Sequence, residues 1–289
     1  MIRVAPRLSL TAILAVAASS ASADLTQGAV YVMNNQGNNA ILAYERAPNG
    51  TLTRVGRFLT GGRGNPVPEG DDPPADPLAS QGALVLSEDG RFLFAVNAGS
   101  NHVSVLAVQA DGLQLVQTIR SGGVRPISLT AHGKLLYVLN EGGTTPNIVG
   151  FRISNTGELT RLANSLRPLP GGVMADPAQI AFNPNGRTLV LTEKGTDQIV
   201  TWRVRLDGRT EAPVVMPSNG PTPFGIAFDG RGFVFVAEAN GGLAGAAALS
   251  SYSFLPGGIL ETVSASVPDA QTYAGRVVVT HDLQFVFVS

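Results

Sequence analysis

Two glutamates and one arginine carry most of the chemistry this chain could perform. Glu193 ends the run Gly186-Arg187-Thr188-Leu189-Val190-Leu191-Thr192-Glu193, and Glu238 ends the similar run Gly232-Phe233-Val234-Phe235-Val236-Ala237-Glu238. Two carboxyl groups facing one space raise each other's pKa, so one can donate a proton while the other accepts one. The structural alternative is that each caps its own turn or pairs with Lys194 or an arginine. Arg125 stands in Ser121-Gly122-Gly123-Val124-Arg125-Pro126. Glycines let backbone approach an anion, and a guanidinium grips carboxylate or phosphate through two parallel hydrogen bonds; the alternative is an ordinary loop arginine. No helix pattern follows the Gly-Gly pair, so it is not a phosphate loop. Asn97 and Asn140 end two further copies of the run, where each either reaches a substrate or hydrogen-bonds the next turn. No Gly-x-Ser-x-Gly occurs, which leaves a serine nucleophile unsupported.

Metal and thiol chemistry have little to work with. The chain has 3 histidines and no cysteine, which excludes disulfides, thiolate ligands and a cysteine nucleophile. His102, His132 and His281 fall in or beside turns at different places in the repeat, so no metal site and no cofactor are expected. The net charge is −1 and no run of Lys or Arg marks a nucleic-acid surface. A composition 44% hydrophobic and 14% charged suits an ordered globular chain.

Residues 1–23 read as a secretory signal: Arg3 and Arg7 precede an apolar run from Leu8 to Ala18, and Ala21-Ser22-Ala23 is a small-residue cleavage site. That run of about 11 residues is short of the ~20 that span a bilayer. Cleavage near Ala23 would deliver residues 24–289 to the periplasm or the medium, with no membrane attachment afterwards. A monomer is the expected state.

The elements that must position these side chains are copies of one unit. Ala29–Asn34, Gly90–Asn97, Gly133–Asn140, Gly186–Glu193, Gly232–Glu238 and Asp282–Ser289 each read as a strand. They recur every ~40–50 residues, all strand and turn, which is the period of a β-propeller with one four-stranded blade per repeat. Around Gly133 the four strands are expected at 127–130, 135–139, 147–153 and 158–163. Asn49-Gly50, Asp111-Gly112 and Asp207-Gly208 supply hairpin turns. Runs such as Val103-Ser104-Val105-Leu106-Ala107-Val108 are apolar on both faces, as a blade wedged between neighbours requires. Trp202 is expected to pack between blades. Two insertions, 61–80 and 240–251, read as end-face loops, the second with one short helical turn. The last copy stops at the end of a second strand, so five to six blades of an expected seven are present and roughly 60–100 further residues are expected in the natural protein.

The repeated Gly-Arg-aromatic-strand pattern, preceded by Pro177-Ala178-Gln179-Ile180-Ala181-Phe182-Asn183-Pro184-Asn185-Gly186, resembles the seven-bladed propeller lactonase family. That family includes a class of 6-phosphogluconolactonase and the carboxy-muconate lactonizing enzymes. The resemblance covers nearly all of 28–289 and implies chemistry at the mouth of the central channel. Family members commonly place a histidine before the first strand of a blade. Gly82, Arg125, Ala178 and Phe224 hold those slots here. Arg125 is the matching channel cation, and Glu193 matches the glutamate that ends the family's anchor strand. The resemblance thus implies a lactone hydrolase or cyclase with Glu193 and Arg125 as catalytic residues. Asn97, Asn140, Gln179 and Glu238 would contact a small anionic or lactone substrate. A non-catalytic exported propeller that binds a partner is the other reading, because fold alone does not fix function.

Overall fold

The computed structural model describes residues 28–65 and 76–289. The signal segment expected at 1–23 and the centre of the 61–80 insertion lie outside the described residues. Six antiparallel sheets follow one another along the chain. Blade 1 holds β1 (Ala29–Met33), β2 (Ala40–Arg46) and β3 (Leu52–Leu59). Blade 2 holds β4 (Leu84–Leu86), β5 (Phe92–Asn97), β6 (His102–Gln109) and β7 (Gly112–Arg120). Blade 3 holds β8 (Val124–His132), β9 (Leu135–Gly142), β10 (Asn147–Ile153) and β11 (Leu159–Arg161), with β12 (Arg167–Pro168) also pairing β10. Blade 4 holds β13 (Pro177–Phe182), β14 (Thr188–Glu193), β15 (Gln198–Val204) and β16 (Thr210–Pro217). Blade 5 holds β17 (Pro223–Phe228), β18 (Phe233–Glu238), β19 (Ala248–Phe254) and β20 (Leu260–Pro268). A last pair joins β21 (Val277–Val279) to β22 (Val286–Val288). The protein is an all-β propeller. Among the described residues helical structure is confined to short 3-10 turns, and no helix is long and apolar enough to cross a membrane.

Burial explains why both faces of the middle strands are apolar. Every residue of β5 and of β14 is buried, because each sheet is covered by a neighbour on either side. Phe94, Tyr137, Phe151 and Trp202 are the largest wholly buried side chains. Tyr137 ties blade 3 to blade 4 by donating its hydroxyl to the Gly208 carbonyl at 2.7 Å. The first strands of successive blades meet at the axis. Their side chains knit one blade to the next: Ile180 N–H donates to Ser128 Oγ at 3.2 Å, Phe182 N–H to Thr130 Oγ1 at 3.0 Å, and Ile226 N–H to Gln179 Oε1 at 2.8 Å.

Several sequence expectations shift in detail. In blade 3 the first strand runs longer than 127–130, and the fourth is shorter than 158–163, its pairing on β10 being completed by β12. Gly50, Gly157 and Gly208 take positive φ in their turns, but Asp111-Gly112 closes its hairpin without one. The 240–251 stretch has its short helical turn at Asn240–Gly242, but loop gives way to strand at Ala248, where the backbone pairs with Glu238. His102 is the first residue of β6 and His132 the last of β8, with the His132 Nδ1 2.7 Å from Glu88 Oε1.

Candidate active site at the channel mouth

The first strands begin, and the second strands end, at one mouth of the central channel. Arg125 lies in β8 between the register pairs Val124–Gly142 and Pro126–Asn140, just before a bulge between Pro126 and Ser128. Arg125 adopts φ 55, a left-handed conformation that costs a non-glycine residue about 1–3 kcal/mol. Its N–H donates to Asn101 Oδ1 at 2.8 Å, which holds that turn. The guanidinium then reaches two acceptors. Nη1 pairs with Glu141 Oε2, and Nη2 donates to the Pro77 carbonyl at 2.6 Å. Glu141 lies in β9, one residue past Asn140. Its carboxyl pKa is raised by burial, an effect that Arg125 and then Lys194 partly oppose.

Lys194 follows Glu193 and is buried, with its side chain 7% exposed. The ammonium donates to the Ala79 carbonyl at 2.8 Å and to the Pro177 carbonyl at 3.3 Å. It lies 3.2 Å from Asp176 Oδ1 and 4.9 Å from the centre of the Phe224 ring. Tyr273 packs edge-on to Phe224 at 5.7 Å, and its phenol pKa is raised by burial, with Asp76 and Asp176 adding to the shift. Arg125, Glu141, Asp176, Lys194 and Tyr273 therefore form one ionic and aromatic cluster. The segment 76–81 runs beneath it. Ser80 Oγ donates to the Ile127 carbonyl at 2.9 Å and Gln81 N–H to the Ala178 carbonyl at 3.0 Å, so this segment is strapped to blades 3 and 4. Beside the strap is a cleft of about 450 Å³ lined by Tyr31, Asn35, Asp76, Ser80, Gln81 and Arg276.

The other sequence-derived candidates occupy a different niche. Asn97, Glu193 and Glu238 end the second strands of blades 2, 4 and 5, whereas β9 of blade 3 runs two residues past Asn140 to Gly142; all four residues are 0% exposed. Asn97 accepts from Thr60 Oγ1 at 2.6 Å and donates to Ser104 Oγ at 2.8 Å. Asn140 donates to Asn147 Oδ1 at 3.1 Å. Glu193 accepts from Thr196 Oγ1 at 2.7 Å and from the Gly171 N–H at 3.3 Å. Glu238 accepts from Ser250, Ser266 and the Gly220 N–H. Each packs against a glycine of the linker that feeds its blade: Gly62, Gly123, Gly171 or Gly220. Arg125, Glu193 and Glu238 do not converge on one pocket, and Lys194 pairs with Asp176 rather than with Glu193. Gln179 is half-buried and bonds the Ile226 backbone through both ends of its amide.

Glu141, Asp176, Lys194 and Tyr273 are the functional candidates that motif reading passes over. The available signal was position. Glu141 and Lys194 each directly follow the last residue of the repeated sequence run, and in extended chain the next side chain points the opposite way.

A propeller whose channel mouth carries a partly buried Arg–Glu pair is the class of protein that this geometry defines. The chain belongs to the lactonase family of seven-bladed β-propellers, whose model matches residues 65–176 and 173–289. Its fold is shared with a periplasmic gluconolactonase from Pseudomonas aeruginosa, at 20% identity and TM-score 0.64, over 92% of this chain and 76% of that one. A candidate 6-phosphogluconolactonase from Bacteroides uniformis matches at 18% identity and TM-score 0.62, over 89% and 72%. A protein from Lactobacillus plantarum matches at 19% and 0.68, over 87% and 71%. No curated protein matches the chain.

Proposed function

We propose that this protein is an exported lactone hydrolase acting on a lactone of a sugar acid or other organic acid at the channel mouth, with Arg125 and Glu141 as the working pair. The observation that carries the reading is the Arg125–Glu141 pair itself, in which burial lifts the carboxyl pKa toward the range where it exchanges protons readily. Glu141 takes a proton from water as the water oxygen bonds to the lactone carbonyl carbon. Arg125, which has N–H groups beyond those given to Glu141 and Pro77, steadies the oxyanion or a carboxylate of the substrate. The ring C–O bond then breaks, its oxygen takes the proton from Glu141, and a hydroxy acid leaves. The proton role assigned to Glu193 on resemblance passes here to Glu141, because Glu193 has no exposed surface and both its oxygens hold donors. The reverse bond changes would serve lactone formation. Export rests on the N-terminal pattern and on the periplasmic gluconolactonase that shares the fold.

The test is hydrolysis of aldonolactones by the full chain in a pH-stat, with Glu141→Gln beside wild type. Loss of a general base lowers the rate about 10²–10⁴-fold. Equal rates would remove Glu141 from the chemistry. No rate above the uncatalysed background would favour the second reading, a non-catalytic binding propeller. What supports that reading is that Gly82, Ala178 and Phe224 stand in the family's histidine slots and that Glu193 and Glu238 are committed to their own linkers.

A further inference from the structure

Arg125 keeps its place against two conformational preferences. It is not glycine, yet its φ is 55, and Pro126 follows it, which pushes a residue toward extended backbone with negative φ. A contact from outside β8 holds it there. Asn101, in the turn after β5, is itself left-handed at φ 60. Its Oδ1 accepts the Arg125 N–H at 2.8 Å, and its carbonyl accepts the Ser121 N–H at 3.0 Å.

The same clamp recurs two blades further on. Asp197 stands as far past Glu193 as Asn101 does past Asn97. It has φ 52, its Oδ1 accepts the Thr222 N–H at 2.7 Å, and its carbonyl accepts the Ser218 N–H at 2.8 Å. Thr222 has φ 57 and precedes Pro223, the ladder partner of Glu238, just as Arg125 precedes Pro126, the ladder partner of Asn140. In both places an Asn or Asp, residue types that tolerate the left-handed region, locks the head of the next blade's first strand with a side-chain oxygen. The two locks differ in what they hold. Thr222 Oγ1 accepts from the Gly241 N–H at 3.0 Å and stays within blade 5. Arg125 sends its guanidinium across the mouth to Glu141 and the Pro77 carbonyl. A return of Arg125 to negative φ would swing its Cα–Cβ bond, and the guanidinium with it. We infer that Asn101 is a positioning residue of the channel mouth: without touching substrate, its side chain sets the direction in which Arg125 meets Glu141 and the oxyanion. The effect on rate rests on the lactonase reading; the effect on geometry does not.

Asn101→Gly isolates the clamp, because glycine keeps the left-handed turn and gives up only the acceptor. Asp197→Gly makes the same cut at blade 5, away from Arg125, and Asn101→Asp restores the acceptor in the form that Asp197 supplies. In aldonolactone hydrolysis by the full chain, Asn101→Gly lowers kcat/KM about tenfold to a hundredfold, the scale for a reacting group displaced by roughly an ångström. Asn101→Asp recovers most of that loss, and Asp197→Gly keeps the wild-type rate. Glu141 reports the same displacement without turnover. It feels Arg125 from β8 and Lys194 and Asp176 from blade 4, and Arg125 is the stronger of the two cations that oppose its burial. With Arg125 displaced, the carboxyl keeps its proton to higher pH. The window in which stability falls relative to a Glu141→Gln counterpart therefore moves up in Asn101→Gly and stays in place in Asp197→Gly. A wild-type kcat/KM or an unmoved window in Asn101→Gly overturns the inference, as does an equal loss of rate in Asp197→Gly or no recovery in Asn101→Asp. If wild type hydrolyses no aldonolactone, the lactonase reading fails and the window alone decides the role of Asn101.

Discussion

Glu238 and Ser250 meet across β18 and β19 with the serine hydroxyl 2.5 Å from Glu238 Oε1, and neither residue is exposed. Ser250 Oγ also accepts from the Ser266 N–H at 2.8 Å, so one hydroxyl joins the second, third and fourth strands of blade 5. A hydrogen bond to a carboxyl group inside a dry blade is worth more than one at the surface. Ser250→Ala removes the donor and leaves a buried oxygen short of a partner, which costs about 1–3 kcal/mol. The expected result is a lower urea midpoint with an unchanged slope. An unchanged midpoint would mean that Ser266 and Gly220 hold Glu238 unaided.

The same niche in blade 3 is occupied by Asn140, and there the limiting contact is steric. A Cβ on Gly123 would stand 2.6 Å from the Asn140 Cβ. Gly123 has an ordinary negative φ, so its glycine is required by space and not by backbone conformation. Gly123→Ala is expected to destabilise by about 1–3 kcal/mol, the range for overfilling a packed site. Gly37→Ala is the control, since nothing lies within 4 Å of its Cβ position and its φ is also negative. Its effect should stay within about 0.5 kcal/mol. Thermal melts of both variants decide the point, and equal melting temperatures would refute the packing account.

These residues show what can be read from the chain and what cannot. The strands ending at Asn97, Glu193 and Glu238 end at those residues in the structure, because alternating apolar side chains and turn glycines act over a few residues. Their equivalence across blades was legible for the same reason. Their burial was not. Whether a strand-end carboxyl faces a channel or a glycine linker depends on the linker's path, and that path is set by packing against the preceding blade. The working cluster was harder still. Arg125 meets Pro77 over 48 residues of sequence and Lys194 meets Ala79 over 115. Such pairings follow from the way neighbouring blades pack around the axis, and no local pattern encodes them.

Lys194 therefore gives a direct test of the strap. Lys194→Met retains much of the apolar stem but removes the ammonium, leaving the Ala79 and Pro177 carbonyls without that donor. The loss should be about 1–3 kcal/mol, from buried acceptors left unpaired. The local signature is more specific than the global one. The Gln81 N–H, bonded to the Ala178 carbonyl at 3.0 Å, should exchange with solvent faster, while amides in the centre of β14 keep their relative protection. Unchanged exchange at Gln81 would show that Ser80 and Leu78 anchor the strap without help from Lys194.

Glu141 allows the mouth to be tested by pH. Burial raises its pKa above the ordinary 4.5 in spite of Arg125 and Lys194, so the folded chain keeps this proton to a higher pH than the unfolded chain does. The stability linked to that proton is complete below the unfolded pKa and is lost as pH rises through the folded one. Glu141→Gln cannot ionise and should lack this loss. Wild type is therefore expected to fall in stability relative to Glu141→Gln as pH rises from the ordinary carboxylate range through the raised value. Catalysis runs the opposite way across the same window. A general base works only after losing its proton, so the hydrolysis rate should rise with pH along a limb set above 4.5, at the pH where the stability difference is changing. Denaturant titrations and rate profiles over the same buffers measure both. A stability difference that is flat with pH would place Glu141 in a more exposed setting than its contacts indicate. A rate limb displaced from the stability window would assign the proton to another group, with Asp176 and Asp76 the next carboxylates at the mouth.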